Sequence, residues 1–134
     1  METATNETEY DPRNAKTRTV LARAVIRLFK AWGLGPADCL TLLGLSESNR
    51  SALSRYAHGE PLASSRDLLD RAGHLLGIHK SLSLLYPHNP EIVNGWMSTA
   101  NRKFHDARPV DVVRQFGLPG LAMVRGTLDA MRGR

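Results

Sequence analysis

The sequence predicts an all-α protein, and three observations carry that expectation. Leucine and alanine far outnumber valine and isoleucine, a balance that favours helix over sheet. Apolar residues recur at three- and four-residue intervals in one segment after another. Prolines stand where such segments open (Pro36, Pro90, Pro109, Pro119) and glycines where they close (Gly33, Gly44, Gly59, Gly117). No stretch reads as a strand.

The chain has 134 residues, enough for one or two small domains with a real core. Its net charge is +5, unevenly placed, because Glu2, Glu7, Glu9 and Asp11 all fall near the start. Residues 13–90 contain 11 basic and 5 acidic side chains, which suits a polyanionic partner. Cys39 is the only cysteine, so an internal disulfide is impossible and a reducing, cytoplasmic setting is expected. Its position before Leu40 makes it a small core residue, with no basic neighbour to activate the thiol. The acidic N-terminus is unlike a signal peptide, and no apolar run reaches membrane-spanning length, so no membrane association is expected.

Residues 1–12 are polar without apolar period and read as a disordered tail. Helical period begins after them, with Val20, Leu21, Ala24, Val25, Leu28, Phe29 and Trp32 on one stripe. Arg23, Arg27 and Lys30 fall opposite. They fit either contacts to a DNA backbone or a solvated basic face.

Residues 35–59 are the most informative stretch. Pro36 suits a first helical turn, Leu40, Leu42 and Leu43 follow, and Gly44 can take the left-handed conformation that ends a short helix. Ser46 or Ser48 can cap a second helix with Ala52, Leu53 and Tyr56 as its stripe, and Gly59 stops it. Two short helices around a tight glycine-containing turn make a helix-turn-helix pattern. Off the stripe lie Ser48, Asn49, Arg50, Ser51, Ser54 and Arg55, side chains able to bond base edges and phosphates. A small helical domain with an ordinary polar face would look much the same.

Beyond Pro61, Ser64 or Ser65 can cap a helix carrying Leu68, Leu69, Ala72, Leu75 and Leu76. Gly77 is expected to divide it from a short helix that ends before Pro87. Pro87, His88, Asn89 and Pro90 read as a connector, which divides the chain at residues 13–87 and 88–134. Asn89 and Pro90 can open a helix with Ile92, Val93, Trp96 and Met97. A polar loop follows, then a short helix with Val110, Val112, Val113 and Phe116. The last helix has Leu121, Val124, Leu128 and Met131 as its stripe.

No catalytic constellation is present. None of His58, His74, His79, His88 and His105 pairs at the spacing a helical metal site needs, and no phosphate loop or nucleophile elbow occurs. No enzymatic activity, metal or cofactor is expected. Trp32 and Trp96 fall on apolar stripes and serve as core anchors.

Several stretches resemble the Xre/MbcA/ParS antitoxins. They are Leu75 to Leu82, Leu84 to Pro87, Gly95-Trp96-Met97, Asn101-Arg102-Lys103-Phe104, Pro109, Gly117, Gly120-Leu121, Val124-Arg125, Leu128-Asp129 and the Arg132-Gly133-Arg134 ending. The resemblance spans residues 18–134. It implies an N-terminal helix-turn-helix before a small helical toxin-binding domain, and a cognate RES-domain toxin, which degrades NAD, as partner. The toxin-contacting positions it implies are Arg125, Met131, Arg132 and Arg134, supported by the loop holding Asn101, Arg102 and Phe104. Ala100, Asp106 and Thr127 depart from the usual pattern, which has proline, glycine and often an aromatic residue there. The turn between Gly44 and Tyr56 is a few residues longer than usual. The expected activity is toxin neutralisation with autoregulation, a homodimer binding an inverted repeat in its own operator DNA. The alternative is a stand-alone transcriptional regulator whose C-terminal half dimerises.

Overall fold

A computed structural model describes residues 14–133, so the tail at residues 1–12 and the terminal Arg134 lie outside the described residues. Within them stand seven α-helices and three short 3-10 turns, with no strand. The first helix, α1 (Ala15–Ala31), starts where the Asn14 side chain accepts a hydrogen bond from the Lys16 amide at 2.8 Å. Its core side is Ala22, Val25, Leu28 and Phe29, joined by Trp32. Val20 is 63% exposed, contrary to the expected stripe. Five residues at 100° each set it about 140° around the helix from Val25, on the outer face.

Helix α2 (Pro36–Leu43) opens on Pro36 and closes on Gly44 at φ 69°, both as expected. Neither Ser46 nor Ser48 caps the next helix. Their hydroxyls pair with each other at 2.7 Å, and a 3-10 turn (Glu47–Asn49) runs through helical Arg50 straight into α3 (Ser51–Ala57). Backbone bonds from Asn49 to Ser46 and from Arg50 to Glu47 satisfy that turn, so no side-chain cap is needed. Ala52 and Tyr56 anchor α3 to the core.

Helix α4 (Arg66–Leu85) is capped by Ser65, whose hydroxyl accepts from the Leu68 amide at 3.1 Å. It is one unbroken helix, so Gly77 does not divide it. Leu68, Ala72, Leu75, Ile78 and Leu82 bury one continuous face, and that burial outweighs the roughly 1 kcal/mol that a mid-helix glycine costs. Helix α5 (Pro90–Gly95) follows the connector, then a 3-10 turn (Trp96–Ser98). The expected polar loop holds a further 3-10 turn (Arg102–Phe104) closed by a bridge between Asn101 and Ala107. Helices α6 (Pro109–Phe116) and α7 (Leu118–Arg132) meet at Gly117, at φ 65°.

Helix α7 lies along α4, and α6 packs on both α7 and α2. One apolar core therefore runs from Val25 in α1 through Leu75 in α4 to Leu128 in α7. The two halves of the chain share it. Within the N-terminal half, charge also fastens α4 to α2. Arg71 is 7% exposed on α4, donates to the Thr41 and Leu42 carbonyls at 3.3 Å each, and pairs with Asp67 at 2.9 Å. A guanidinium there meets the negative end of α2 and satisfies carbonyls left without helical partners.

Candidate DNA-binding and partner-binding surfaces

The 3-10 turn and α3 carry Ser48, Asn49, Arg50, Ser51, Ser54 and Arg55 together, and every one of these side chains is exposed. The burial of Ala52 and Tyr56 on the other side sets that arrangement. Arg50 lies 3.4 Å from Glu47, and Arg55 lies 3.1 Å from Glu60 while donating to the Ser51 hydroxyl at 2.7 Å. These exposed pairs hold little energy in water and can be exchanged for a phosphate or a base edge. Burial pushes the Cys39 thiol up to about 11, with Asp38 adding to the effect, which fits a core residue and not a nucleophile.

On α7, Arg125 and Arg132 share one flank, seven residues apart, and both fold back on α4. Arg125 contacts the Gly73 carbonyl at 3.5 Å and His74 Nδ1 at 3.4 Å. Arg132 donates to the Ser81 hydroxyl at 3.2 Å, and Ser81 donates to Asp129 at 3.0 Å. Asp129 sits between the two arginines, 3.8 Å from Arg125 and 4.0 Å from Arg132. Burial, then the Arg125 charge, holds the His74 imidazole below its ordinary value, so the neutral ring can accept from the guanidinium. Met131 is half-buried beside them.

Asn101, Arg102 and Phe104 form a separate turn. No hydrogen bond or ion pair joins it to the α7 flank among the described residues. Asn101 caps the turn by accepting from the Lys103 amide at 2.9 Å, and Arg102 is exposed. Phe104 is 8% exposed and meets Trp96 edge to face at 6.0 Å. It holds the turn from beneath and offers no surface of its own.

Two further features emerge from the packing. Phe116 and Met123 are about half exposed, on the side of α6 and α7 turned from the core. Periodicity puts Phe116 on the α6 stripe, and the structure corrects that. Met123 is legible, because it lies off the Leu121, Val124 and Leu128 register. The second feature is a charge network in which Asp38 of α2 meets Arg114 at 2.6 Å and Arg108 at 3.7 Å. Asp111 pairs with both arginines. No spacing rule relates positions so far apart in sequence.

The fold and these surfaces define a helix-turn-helix DNA-binding protein that carries a second helical module. Residues 16–77 match the antitoxin Xre-like helix-turn-helix domain. Residues 81–134 match the antitoxin Xre/MbcA/ParS C-terminal toxin-binding domain. The chain belongs to the Xre/MbcA/ParS antitoxin family. No curated protein matches it. The two matches adjoin between residues 77 and 81, inside α4, so one helix serves both modules. Among the described residues no helix is long and apolar enough to cross a membrane.

Proposed function

We propose that this antitoxin neutralises a RES-domain toxin through its C-terminal half and represses its own operon through its N-terminal half. The observation that carries the proposal is the fusion of the two matched modules on one shared core. The toxin surface is assigned to Arg125, Met131, Arg132 and Arg134, with Asn101 and Arg102 alongside and Phe104 supporting them. Phe116 and Met123, each about half exposed, add apolar surface on this half that a partner could cover. Arg125 and Arg132 are held by Asp129, so toxin carboxylates would compete for guanidiniums already oriented on one flank.

Operator binding is assigned to Ser48, Asn49, Arg50, Ser51, Ser54 and Arg55, presented by a homodimer to an inverted repeat. Half-sites are then expected about one turn, roughly 10 bp, apart or a multiple of that. The test is co-expression with a RES-domain toxin, reading growth, cellular NAD and co-purification. Deleting residues 131–134 should abolish protection and leave operator binding intact. Full protection by that truncated chain would remove the tail from the toxin site. Failure of the whole chain to protect or co-purify would sink the RES assignment and favour a stand-alone regulator. Replacing Arg50 and Arg55 by alanine should weaken operator binding by roughly 1–3 kcal/mol for each base-reading arginine removed.

A further inference from the structure

Electrostatics divides the N-terminal half in an unexpected way. The turn and helix that present the base-reading side chains carry no net charge over residues 46–60, where Arg50 and Arg55 are matched by Glu47 and Glu60. Duplex DNA is a dense polyanion, and most non-specific affinity comes from cations that displace its condensed counterions. A neutral reading head supplies little of that. Helix α1 is the opposite case, with Lys16, Arg18, Arg23, Arg27 and Lys30 and no acidic residue.

Three of those cations converge. Arg23, Arg27 and Lys30 line a concavity of about 320 Å³ together with Ile26 of α1 and Ala57 of α3. All three are exposed, and no described residue forms an ion pair with any of them. They recur at four and three residues on one face of α1, spanning roughly 10 Å of helix. Arg23 reaches the chain just beyond α3, since its Nη2 lies 3.2 Å from the position a Cβ on Gly59 would occupy. The cationic concavity is therefore continuous with the end of the reading helix. Most other described arginines already have carboxylate partners, on Glu47, Glu60, Asp67, Asp70, Asp111 or Asp129.

We propose that Arg23, Arg27 and Lys30 clamp the sugar-phosphate backbone flanking the groove read by α3. They supply the salt-dependent part of affinity, and the turn and α3 supply sequence readout. This rests on the DNA-binding reading above and assigns to α1 a task the recognition helix lacks the charge to perform.

The experiment uses the full chain and fluorescence anisotropy on two duplexes of equal length, one from the region upstream of its own gene and one scrambled. Affinities are measured across a series of salt concentrations for wild type, the R23Q/R27Q/K30Q variant and an N49A/R50A variant. The triple variant should flatten the slope of log affinity against log salt by about 2–3, at about 0.9 for each phosphate no longer neutralised. It should weaken both duplexes by the same factor, preserving their ratio. The N49A/R50A variant should collapse the ratio and shift the slope far less. An unchanged slope in the triple variant, or a loss confined to the upstream duplex, overturns the proposal. If the triple variant does not fold by circular dichroism, Arg27→Gln alone decides, with an expected slope change of about 1. Wild type that binds neither duplex defeats the DNA-binding reading itself, and the clamp with it.

Discussion

Asp38 on α2 accepts a hydrogen bond from Arg114 on α6 at 2.6 Å, and this joins residues 76 positions apart. The helix that begins the DNA-binding motif is thereby tied to the helix that supports the partner-binding module. Arg108 reaches the same carboxylate, and Asp111 bonds both arginines, so four charges form one network. Asp38→Asn should destabilise the protein by about 1 kcal/mol, the upper end for partly exposed pairs, because one carboxylate serves two guanidiniums. Urea unfolding checks this. The Arg108 hydrogen bond, then its charge, holds the Asp111 carboxyl below 3.8. A depressed folded-state value stabilises the fold above the unfolded value and is lost on acidification, so this contribution should fade below pH 3.8. An Asp38→Asn variant with unchanged urea midpoint would show that the network adds nothing to the contact between halves.

Close helix contact at α6 and α7 depends on Gly120. A Cβ there would sit 2.6 Å from the Val112 carbonyl oxygen and 3.0 Å from Phe116 Cβ. The first is backbone and cannot swing aside. Gly120→Ala should therefore cost about 1–3 kcal/mol, the usual scale of overpacking, and a midpoint like that of wild type would contradict the packing described.

Gly77→Ala should behave differently despite a shorter clash, 2.5 Å to Arg125 Cζ. The obstructing atom is the end of a long side chain that can move to water. Gain in helix propensity, about 1 kcal/mol, should offset the displacement of Arg125 from α4 and leave stability near wild type. The readout is His74. Its imidazole is held below 6.5 by burial first and Arg125 second, so expelling Arg125 should raise its NMR titration midpoint toward 6.5. In wild type the same depression means stability falls as pH drops below 6.5, where the unfolded ring takes up a proton that the folded ring resists. No rise in the midpoint on Gly77→Ala would place Arg125 away from His74.

Asp106 occupies left-handed backbone at φ 67°, directly after His105 at φ 56°. Non-glycine residues tolerate that region at a cost, and the resembling family often has glycine there. Asp106→Gly should stabilise the protein by up to about 1 kcal/mol, strain relief being partly offset by the freedom glycine gains when unfolded. Thermal unfolding measures it, and destabilisation would show that the Asp106 side chain holds the turn.

Local chemistry is legible in the sequence because its causes are local. Pro36, Gly44, Ser65, Pro109 and Gly117 sit at the helix ends their backbone preferences foretell, and the period of Leu121, Val124 and Leu128 names the buried face of α7. The exposed set from Ser48 to Arg55 follows from the same rule, as the complement of Ala52 and Tyr56. Gly77 misleads because its helix-breaking tendency is weak, while α4 is held straight by α7 packed along it. Phe104 enters the contact set through the family resemblance alone, which gives no sign of a Trp96 placed to cover its ring. The pairing of Asp38 with Arg114, the burial of Arg71 against α2 and the gathering of Arg23, Arg27 and Lys30 beside α3 depend on how helices approach one another. Periodicity tells which face a helix buries, but a charge acts through space, and its partner is whichever group the packing brings within a few ångströms.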